Sequence, residues 1–308
     1  MGLRSSLGRF VRHNRWAWRY GLNLSSVLAY HRVRTEPDAE SQRLAIDLRR
    51  NGIAISSVNR FPGLMPLFEE LVAAVRKDEL RQRSKIDESR ARAVDQTTIG
   101  EKTFLYKLLG DQPTLNLSSI YARVALHKAL LQTANRYFGM LTRLRYYNVW
   151  RTFSGNGIAR ESQLWHRDRD DLQIVKVFLY LSDVNDGAGP FTYAPRTHIC
   201  GSRSVEPAGF YEGHVRRSTD DQMDAVVPRN DWVVASGTPG TIVFADTSGL
   251  HKGGLALMSD RLMFTCMYVS KASQVREFFG SFERGLLPNL SPAQACAVDM
   301  VNRRGQDT

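Results

Sequence analysis

Apolar positions in the first half of the chain recur every three or four residues, which is typical of helices that bury one face. Helices are predicted over residues 36–51, from Phe61 to about Val94, and from the capping Ser118 and Ser119 to Tyr137. Gly52 is placed to end the first helix, and a strand is predicted from Ile53 to Val58. This half is therefore expected to supply helices that support a sheet.

After residue 142 the pattern changes to short apolar runs separated by turns rich in Gly and Pro. The predicted strands cover residues 143–153, 175–181, 241–246 and 261–269. Short strands of this kind are typical of an antiparallel barrel or a jelly roll. Residues 201–230 carry few strand signals and many charges, which predicts an insertion over the mouth of the barrel.

Three side chains in this half suggest a metal site. His166 and Asp168 lie two residues apart, so an extended backbone would point both to one side and turn Arg167 away. His251 would come from a neighbouring strand. Two imidazoles and one carboxylate on one face of an octahedral iron(II) leave three positions open, enough for a bidentate cosubstrate and dioxygen. A His-x-Asp motif alone is weak, and its surroundings must support it.

Further candidates lie close to these three in the predicted fold. Arg261 opens a predicted strand ten residues after His251, where it could clamp a carboxylate or pair with Asp246. Along an uninterrupted strand every second side chain faces the same side, so Lys176 would point inward with Asp168. A bulge among residues 169–172 would turn Lys176 to the other side. Thr192 borders a turn near the predicted mouth, where a structural role and a cofactor contact both stay open.

With these motifs the chain resembles the iron(II)- and 2-oxoglutarate-dependent oxygenases, and within them the phytanoyl-CoA dioxygenase-like family, over about residues 145–270. The resemblance implies a mainly β core, a double-stranded β-helix (jelly roll, cupin-like) with flanking α-helices. It implies that iron(II) binds the catalytic His166, Asp168 and His251. It also implies that Arg261 binds the distal carboxylate of 2-oxoglutarate.

The implied reaction hydroxylates a C–H bond of a small molecule with O2 and 2-oxoglutarate and releases succinate and CO2. Lys176 and Thr192 are the further candidates for cofactor contacts. Two residues depart from the family pattern: Arg196 stands where a Gly is usual, and Gly253 stands where a Ser often follows the distal His. Neither departure affects the predicted iron ligands.

The chain of 308 residues is expected to hold one oxygenase domain at 36–308, preceded by a basic, aromatic segment at 1–35. Within the domain, helical support is expected at about 36–142, a jelly-roll core at 143–272 and a tail at 273–308. The tail includes a short helix from Ser291 to about Val301.

Seven arginines and no acidic residue lie within residues 1–35, so the rest of the chain carries only +4 of the net charge of +11. That mild charge makes a nucleic-acid substrate unlikely. The segment could contact an anionic membrane surface or a partner, or pack its aromatic residues on the body. Three scattered cysteines and the lack of a signal sequence predict a cytoplasmic protein, with membrane association on the cytoplasmic face left open.

The alternative reading is a jelly-roll binding or scaffold protein, without catalysis, that the N-terminal segment recruits to a membrane or partner. A zinc hydrolase ranks below both because no His-Glu-x-x-His motif is present. The substrate and the oligomeric state are left open. Basic residues around the predicted entrance favour an anionic substrate, such as a carboxylated, phosphorylated or lipid-linked saccharide; they are Arg160, Arg167, Arg169, Arg196, Arg216 and Arg217.

Overall fold

The computed structural model describes residues 14–33, 36, 38–94, 102–155, 157–210, 216–273, 279–283 and 290–302. A π-helix at Ala17–Leu22 precedes the α-helices. These are α1 (Leu24–Val33), α2 (Ala39–Asn51), α3 (Leu64–Arg81), α4 (Arg83–Val94), α5 (Ile120–Ala125), α6 (Lys128–Phe138), α7 (Asp220–Asp224) and α8 (Pro292–Asn302). The strands are β1 (Ile53–Ser57), β2 (Leu105–Lys107), β3 (Thr114–Asn116), β4 (Arg143–Thr152), β5 (Val175–Tyr180), β6 (Phe191–Tyr193), β7 (Val233–Ala235), β8 (Thr241–Asp246), β9 (His251–Gly253), β10 (Arg261–Val269) and β11 (Ser281–Glu283).

Helix α2 follows its predicted boundaries closely because both ends are capped. Asp38 accepts a hydrogen bond from the backbone N–H of Ser41 at 2.9 Å. At the other end Gly52 adopts φ +79°, a left-handed conformation that costs glycine little and ends the helix. Strand β1 begins directly afterwards, so this cap also sets where the chain enters the sheet.

Two predicted helices are each broken into two, which corrects the sequence-based boundaries. The helix predicted from Phe61 to Val94 is interrupted at Gln82, whose side-chain amide donates to the Leu108 carbonyl at 3.1 Å. The helix predicted from Ser118 to Tyr137 is interrupted at His127, whose backbone is extended and whose Nδ1 accepts from the N–H of Ala129. At each break a polar side chain bonds to a backbone group, a contact that apolar periodicity does not reveal.

The main sheet has six strands in the order β1-β8-β5-β10-β4-β2, and all neighbouring pairs are antiparallel. A second sheet has three strands in the order β7-β6-β9. Strands β3 and β11 form a separate parallel pair. The sequence thus predicted the long strands, whereas β6, β7 and β9 are only three residues long.

The two faces of the main sheet bury different partners. On one face Val177 and Phe264 pack in a core with Leu130 and Phe138 of α6. On the other face Phe178, Tyr180 and Val243 pack against Phe191 and Tyr193 of the second sheet. A mainly β core with flanking helices is therefore confirmed. The described strands form two facing sheets and no closed barrel, so the jelly roll itself stays a prediction.

The start of the described chain packs on the body through a few buried residues. Trp18 is 4% exposed and its indole N–H donates to Asp171 at 2.8 Å. The buried Asn23 bonds to Ser270 at 3.2 Å, close to the end of β10. Within the described residues no helix is long and apolar enough to cross a bilayer. The division into 1–35 and 36–308 stays a prediction, and residues 1–13 lie outside the described part.

Candidate metal centre

The segment from Leu164 to Asp168 is extended, as the convergence of His166 and Asp168 required, and it forms single bridges to its neighbours. Trp165 pairs with Ser218, and His166 pairs with His251. Trp165 turns into a buried cluster and bonds to Asp220 at 2.8 Å. On the alternate side His166 and Asp168 face the same space. The predicted alternation therefore holds without a full strand.

Arg167 turns away from this space, as predicted, and donates to the backbone carbonyl of Ser248 at 2.8 Å and to that of Val205 at 3.1 Å. It also lies 3.2 Å from Glu206. Arg167 was predicted to contribute to a basic entrance, and these contacts instead assign it to holding three loops together. That part of the prediction is wrong because the carboxylate of Glu206 balances the charge of Arg167 and the carbonyl oxygens hold its guanidinium in place.

The bridge between His166 and His251 sets the geometry of the centre. Each backbone N–H donates to the carbonyl of the other residue, at 2.9 and 3.0 Å, and the two ring centroids lie 4.2 Å apart. The backbone N–H of Asp168 donates to Thr247 at 2.8 Å. As a result, one donor atom from each of His166, Asp168 and His251 lies within 4.8 Å of the other two.

Hydrogen bonds on the far side of each ring fix which nitrogen faces the centre. Nδ1 of His166 donates to the Leu164 carbonyl at 2.8 Å, and Nδ1 of His251 donates to the Gly249 carbonyl at 2.9 Å. Because a carbonyl can only accept, Nδ1 carries the proton and Nε2 keeps its lone pair. Such second contacts orient imidazoles that bind metals.

Burial keeps both rings neutral. It lowers the pKa of His166 well below its ordinary value, and the neighbouring His251 lowers it further. Burial likewise lowers the pKa of His251 to about 4, although Asp168 opposes that shift. Two neutral imidazoles with free Nε2 atoms are the protonation state that a metal ion requires.

Asp168 carries the opposite charge state because of Lys176. Burial alone would raise the pKa of Asp168, but the Lys176 ammonium, 2.7 Å from Oδ2, holds it well below its usual range. Burial would lower the pKa of Lys176, and Asp168 raises it above its ordinary value. The carboxylate is therefore ionised. The same Oδ2 lies 3.8 Å from Nε2 of His251.

Lys176 does point inward, but not for the reason that the sequence suggested. Residues 167–174 form no strand, so counting by twos from Asp168 does not apply. Its direction follows from its place on β5, between Met267 of β10 and Ala245 of β8. The count along the sequence and the position on β5 both point Lys176 inward, because β5 begins at a residue that gives Lys176 this orientation.

A cavity of about 80 Å³ runs from the three candidate ligands to Arg261, which is 4% exposed. Nη2 of Arg261 makes a long contact of 3.4 Å to Thr152, while its Nε and Nη1 atoms have no hydrogen-bond partner in the part of the chain that the structure describes. Burial lowers the pKa of this guanidinium. A buried cation with unpartnered donors is costly, which indicates a place for an anion.

The alternative pairing of Arg261 with Asp246 is not seen. Asp246 is buried and accepts from the backbone N–H of Ile174 at 3.2 Å and of Ser248 at 3.0 Å, as well as from the Tyr137 hydroxyl at 2.5 Å. It therefore braces a loop junction behind the site. Gly253 lies beside Arg261 instead: a Cβ at that position would sit 3.4 Å from Nη2. Position 253 therefore offers no side-chain hydroxyl to a cosubstrate.

Thr192 is not brought to the site. It lies in β6, and its hydroxyl donates to the Pro190 carbonyl at 3.3 Å. Its neighbour Phe191 lines the cavity, whereas Thr192 is absent from the lining. This placement favours the structural role that the sequence had left open.

Sequence reasoning missed a second cavity of about 300 Å³ on the other side of the centre. Asp168, Lys176 and Trp150 line both cavities. Trp150 stacks on Tyr146, with ring centroids 6.1 Å apart and planes inclined by 16°. The alternation along β4 was the available signal, since it places Tyr146, Asn148, Trp150 and Thr152 on one face.

No protein-family model and no curated protein matches the chain. Solved structures do. The epimerase SnoN from nogalamycin biosynthesis, described as non-heme and alpha ketoglutarate dependent, aligns with a TM-score of 0.51 and 17% identity over 78% of this chain and 84% of SnoN. AviO1 from Streptomyces viridochromogenes Tue57 aligns with a TM-score of 0.50 and 18% identity over 76% of this chain and 97% of AviO1.

EctD from S. alaskensis, solved with 2-oxoglutarate and 5-hydroxyectoine, aligns with a TM-score of 0.50 and 17% identity over 80% of this chain and 83% of EctD. The chain shares the fold of these three proteins. At such identities the likeness establishes the fold, and it supports at that level the resemblance that the motifs indicated.

Proposed function

We propose that the protein is an iron(II)- and 2-oxoglutarate-dependent dioxygenase that oxidises a C–H bond of a small molecule. One observation carries the proposal. Two neutral imidazoles and an ionised carboxylate converge at one end of a cavity, and the guanidinium of Arg261, whose Nε and Nη1 have no hydrogen-bond partner among the described residues, lies at the other end. This set of donors is the two-histidine, one-carboxylate triad of non-heme iron(II) oxygenases.

The residues fit such a cofactor and cosubstrate. His166, Asp168 and His251 would hold the iron through Nε2, a carboxylate oxygen and Nε2. The fork of Arg261 would bind the far carboxylate of 2-oxoglutarate and so relieve the unpaired donors. When bound, iron(II) with 2-oxoglutarate and O2 supplies C–H oxidation with release of succinate and CO2. SnoN has been solved with Fe3+ and alpha ketoglutarate, which supports the assignment by fold.

Apolar side chains form part of the cavity wall. Phe178, Phe191, Met263 and Trp150 line it between the metal centre and Arg261. Because Arg261 is almost fully buried, its charge acts with little screening, so it would fix the cosubstrate in one orientation. Lys176 would keep Asp168 ionised and point one carboxylate oxygen at the centre.

We assign the second cavity to the substrate, because it reaches the centre at Asp168 from the side opposite Arg261. Its volume of about 300 Å³ lies at the small end for ligand sites, so the substrate would be a compact molecule. The stacked Tyr146 and Trp150 offer a flat wall to a ring or other planar group. Hydroxylation is the outcome we propose; the intact Asp168 argues against halogenation, which needs that ligand position for a halide.

Succinate formation from 2-oxoglutarate tests the proposal. The protein loaded anaerobically with iron(II) should form succinate after O2 is added, and His166→Ala and Asp168→Ala should abolish it. His31→Ala, an exposed histidine on α1, is the matched control and should form succinate as the unaltered protein does. Unchanged succinate formation in His166→Ala would refute the ligand assignment and with it the function.

A further inference from the structure

A large cavity lies away from the metal centre. Its volume is about 750 Å³, and it opens between the N-terminal π-helix and the body of the protein. Residues 14–20 form one wall, and the ends of α2 and α6 with the loops around Gln173 and Cys200 form the rest. Neither the candidate ligands nor Arg261 contributes to it, so the proposed oxidation does not use this space.

The cavity is positively charged. Arg15, Arg19 and Arg49 line it, and no carboxylate is among its described lining residues. Arg19 donates to the carbonyls of Phe138 at 2.6 Å and Gly139 at 3.1 Å, and Arg49 donates to a carbonyl near the end of α6. Carbonyl oxygens satisfy these donors without cancelling their charge. In the described part of the chain, Arg15 has no carboxylate partner.

Large apolar side chains stand at the rim. Trp16 is 74% exposed and stacks on Tyr20, 47% exposed, with centroids 5.4 Å apart. The intervening Trp18 is buried and its indole N–H donates to Asp171, so this ring faces the body and not the rim. On α1, Leu24 and Leu28 are also exposed, at 42% and 48%. Exposed Trp and Leu side chains add little to folding and are typical of a contact surface.

We infer that this N-terminal surface, formed by Arg15, Trp16, Arg19, Tyr20 and Arg49, binds an anionic phospholipid membrane. Tyr and Trp prefer the interface between headgroups and acyl chains, where one end of each ring stays wet. The arginines would meet lipid phosphates, which share their chemistry with soluble phosphate esters. A lipid surface is favoured over an acidic protein because residues 1–35 combine seven arginines with exposed aromatic residues and hold no acidic residue. The contact would be peripheral, because none of the described helices could span a bilayer.

Vesicle flotation with the full-length protein tests this inference without metal or cosubstrate, so its outcome is separate from that of the proposed oxidation. The protein is mixed with phosphatidylcholine vesicles, with or without about one-third phosphatidylglycerol, at an ionic strength of about 0.1 M. Binding is expected only to the anionic vesicles. Arg15→Gln should weaken it about five-fold. The double variant Trp16→Ala, Tyr20→Ala should weaken it at least about ten-fold.

The controls match the altered residues in exposure. Leu80→Ala removes an apolar side chain that is 73% exposed, and Arg83→Gln removes a charge on a side chain that is 80% exposed. Neither should change binding. All variants keep residues 1–13, so the three arginines there cannot cause a difference between them. Equal melting temperatures would show that the variants are folded.

Several outcomes would overturn the inference. Absence of binding to anionic vesicles would assign the surface to an acidic protein or to no partner. Equal binding to anionic vesicles and to vesicles of phosphatidylcholine alone would show that the charge of the arginines does not contribute to binding. Displacement from anionic vesicles by glycerol 3-phosphate at millimolar concentration, with isothermal titration showing a soluble complex, would make the site one for free phosphate esters.

Discussion

Replacing Lys176 by Met removes the positive charge beside Asp168 but keeps a long side chain in its place, so it tests the ion pair apart from the packing. The two charged atoms lie 2.7 Å apart, and both side chains are mostly buried, with 14% and 16% exposed. At an effective dielectric constant of about 20 their attraction is about 6 kcal/mol. Desolvation offsets part of this, so removing one partner should lower the free energy of unfolding of the metal-free protein by about 3–5 kcal/mol.

The pH dependence of this loss follows from the direction of the pKa shift. Lys176 holds the pKa of Asp168 below its unfolded value, so the pair stabilises the fold above that value, about 3.9, and the benefit is lost only at lower pH. Without Lys176, burial dominates and the pKa of Asp168 rises. The stability difference between the two proteins should therefore be largest near neutral pH and shrink toward about pH 4.

Denaturant unfolding with chelator, and then with iron(II) or manganese(II) under anaerobic conditions, measures the effect. A divalent metal supplies the missing positive charge, so it should stabilise Lys176→Met more than the unaltered protein. Lys252→Met is the matched control: it breaks the nearby pair with Asp220, 2.5 Å apart, which no candidate ligand shares. Equal stability of Lys176→Met and the unaltered protein without metal, or equal rescue of both lysine variants by metal, would refute the reasoning.

Two further predictions concern Arg261 and Arg196. Arg261→Lys keeps the positive charge but loses the planar fork of the guanidinium. The 2-oxoglutarate concentration for half-maximal succinate formation should therefore rise at least about ten-fold, while the affinity for the metal stays unchanged. A titration in which this 2-oxoglutarate concentration does not rise would contradict the anchor assignment. Arg196 adopts φ +69°, a backbone conformation in which a residue with a side chain is strained. Arg196→Gly should therefore raise the free energy of unfolding by about 0.5–1 kcal/mol. Arg196→Ala keeps the strain and should not raise it. A melting temperature of Arg196→Gly no higher than that of Arg196→Ala would show that backbone strain at this position does not limit stability.

Much of the candidate site could be predicted because its residues sit where local periodicity is strict. Arg261 opens a nine-residue strand, and the spacing of His166 and Asp168 makes them converge on any extended backbone. The departure at Arg196 was visible in the sequence as a residue in place of Gly, and the positive φ explains why Gly is usual there.

Other features depend on contacts between distant segments. Strands β6 and β9 are three residues long and form only through their pairing with each other and with β7, which no local pattern records. The two imidazoles are oriented by the backbone carbonyls of Leu164 and Gly249. Every residue has such a carbonyl, so the sequence does not indicate which ones make these contacts. The second cavity likewise appears only once Trp150 and Lys176 are brought together from β4 and β5.

Anaerobic absorption spectroscopy tests the central claim most directly. The protein with iron(II) should develop a weak visible charge-transfer band when 2-oxoglutarate is added, because the cosubstrate chelates an iron held by His166, Asp168 and His251. His251→Ala should abolish the band, and Arg261→Lys should require more 2-oxoglutarate to produce it. A flat spectrum for the unaltered protein with stoichiometric iron bound would contradict the account and favour a scaffold without catalysis.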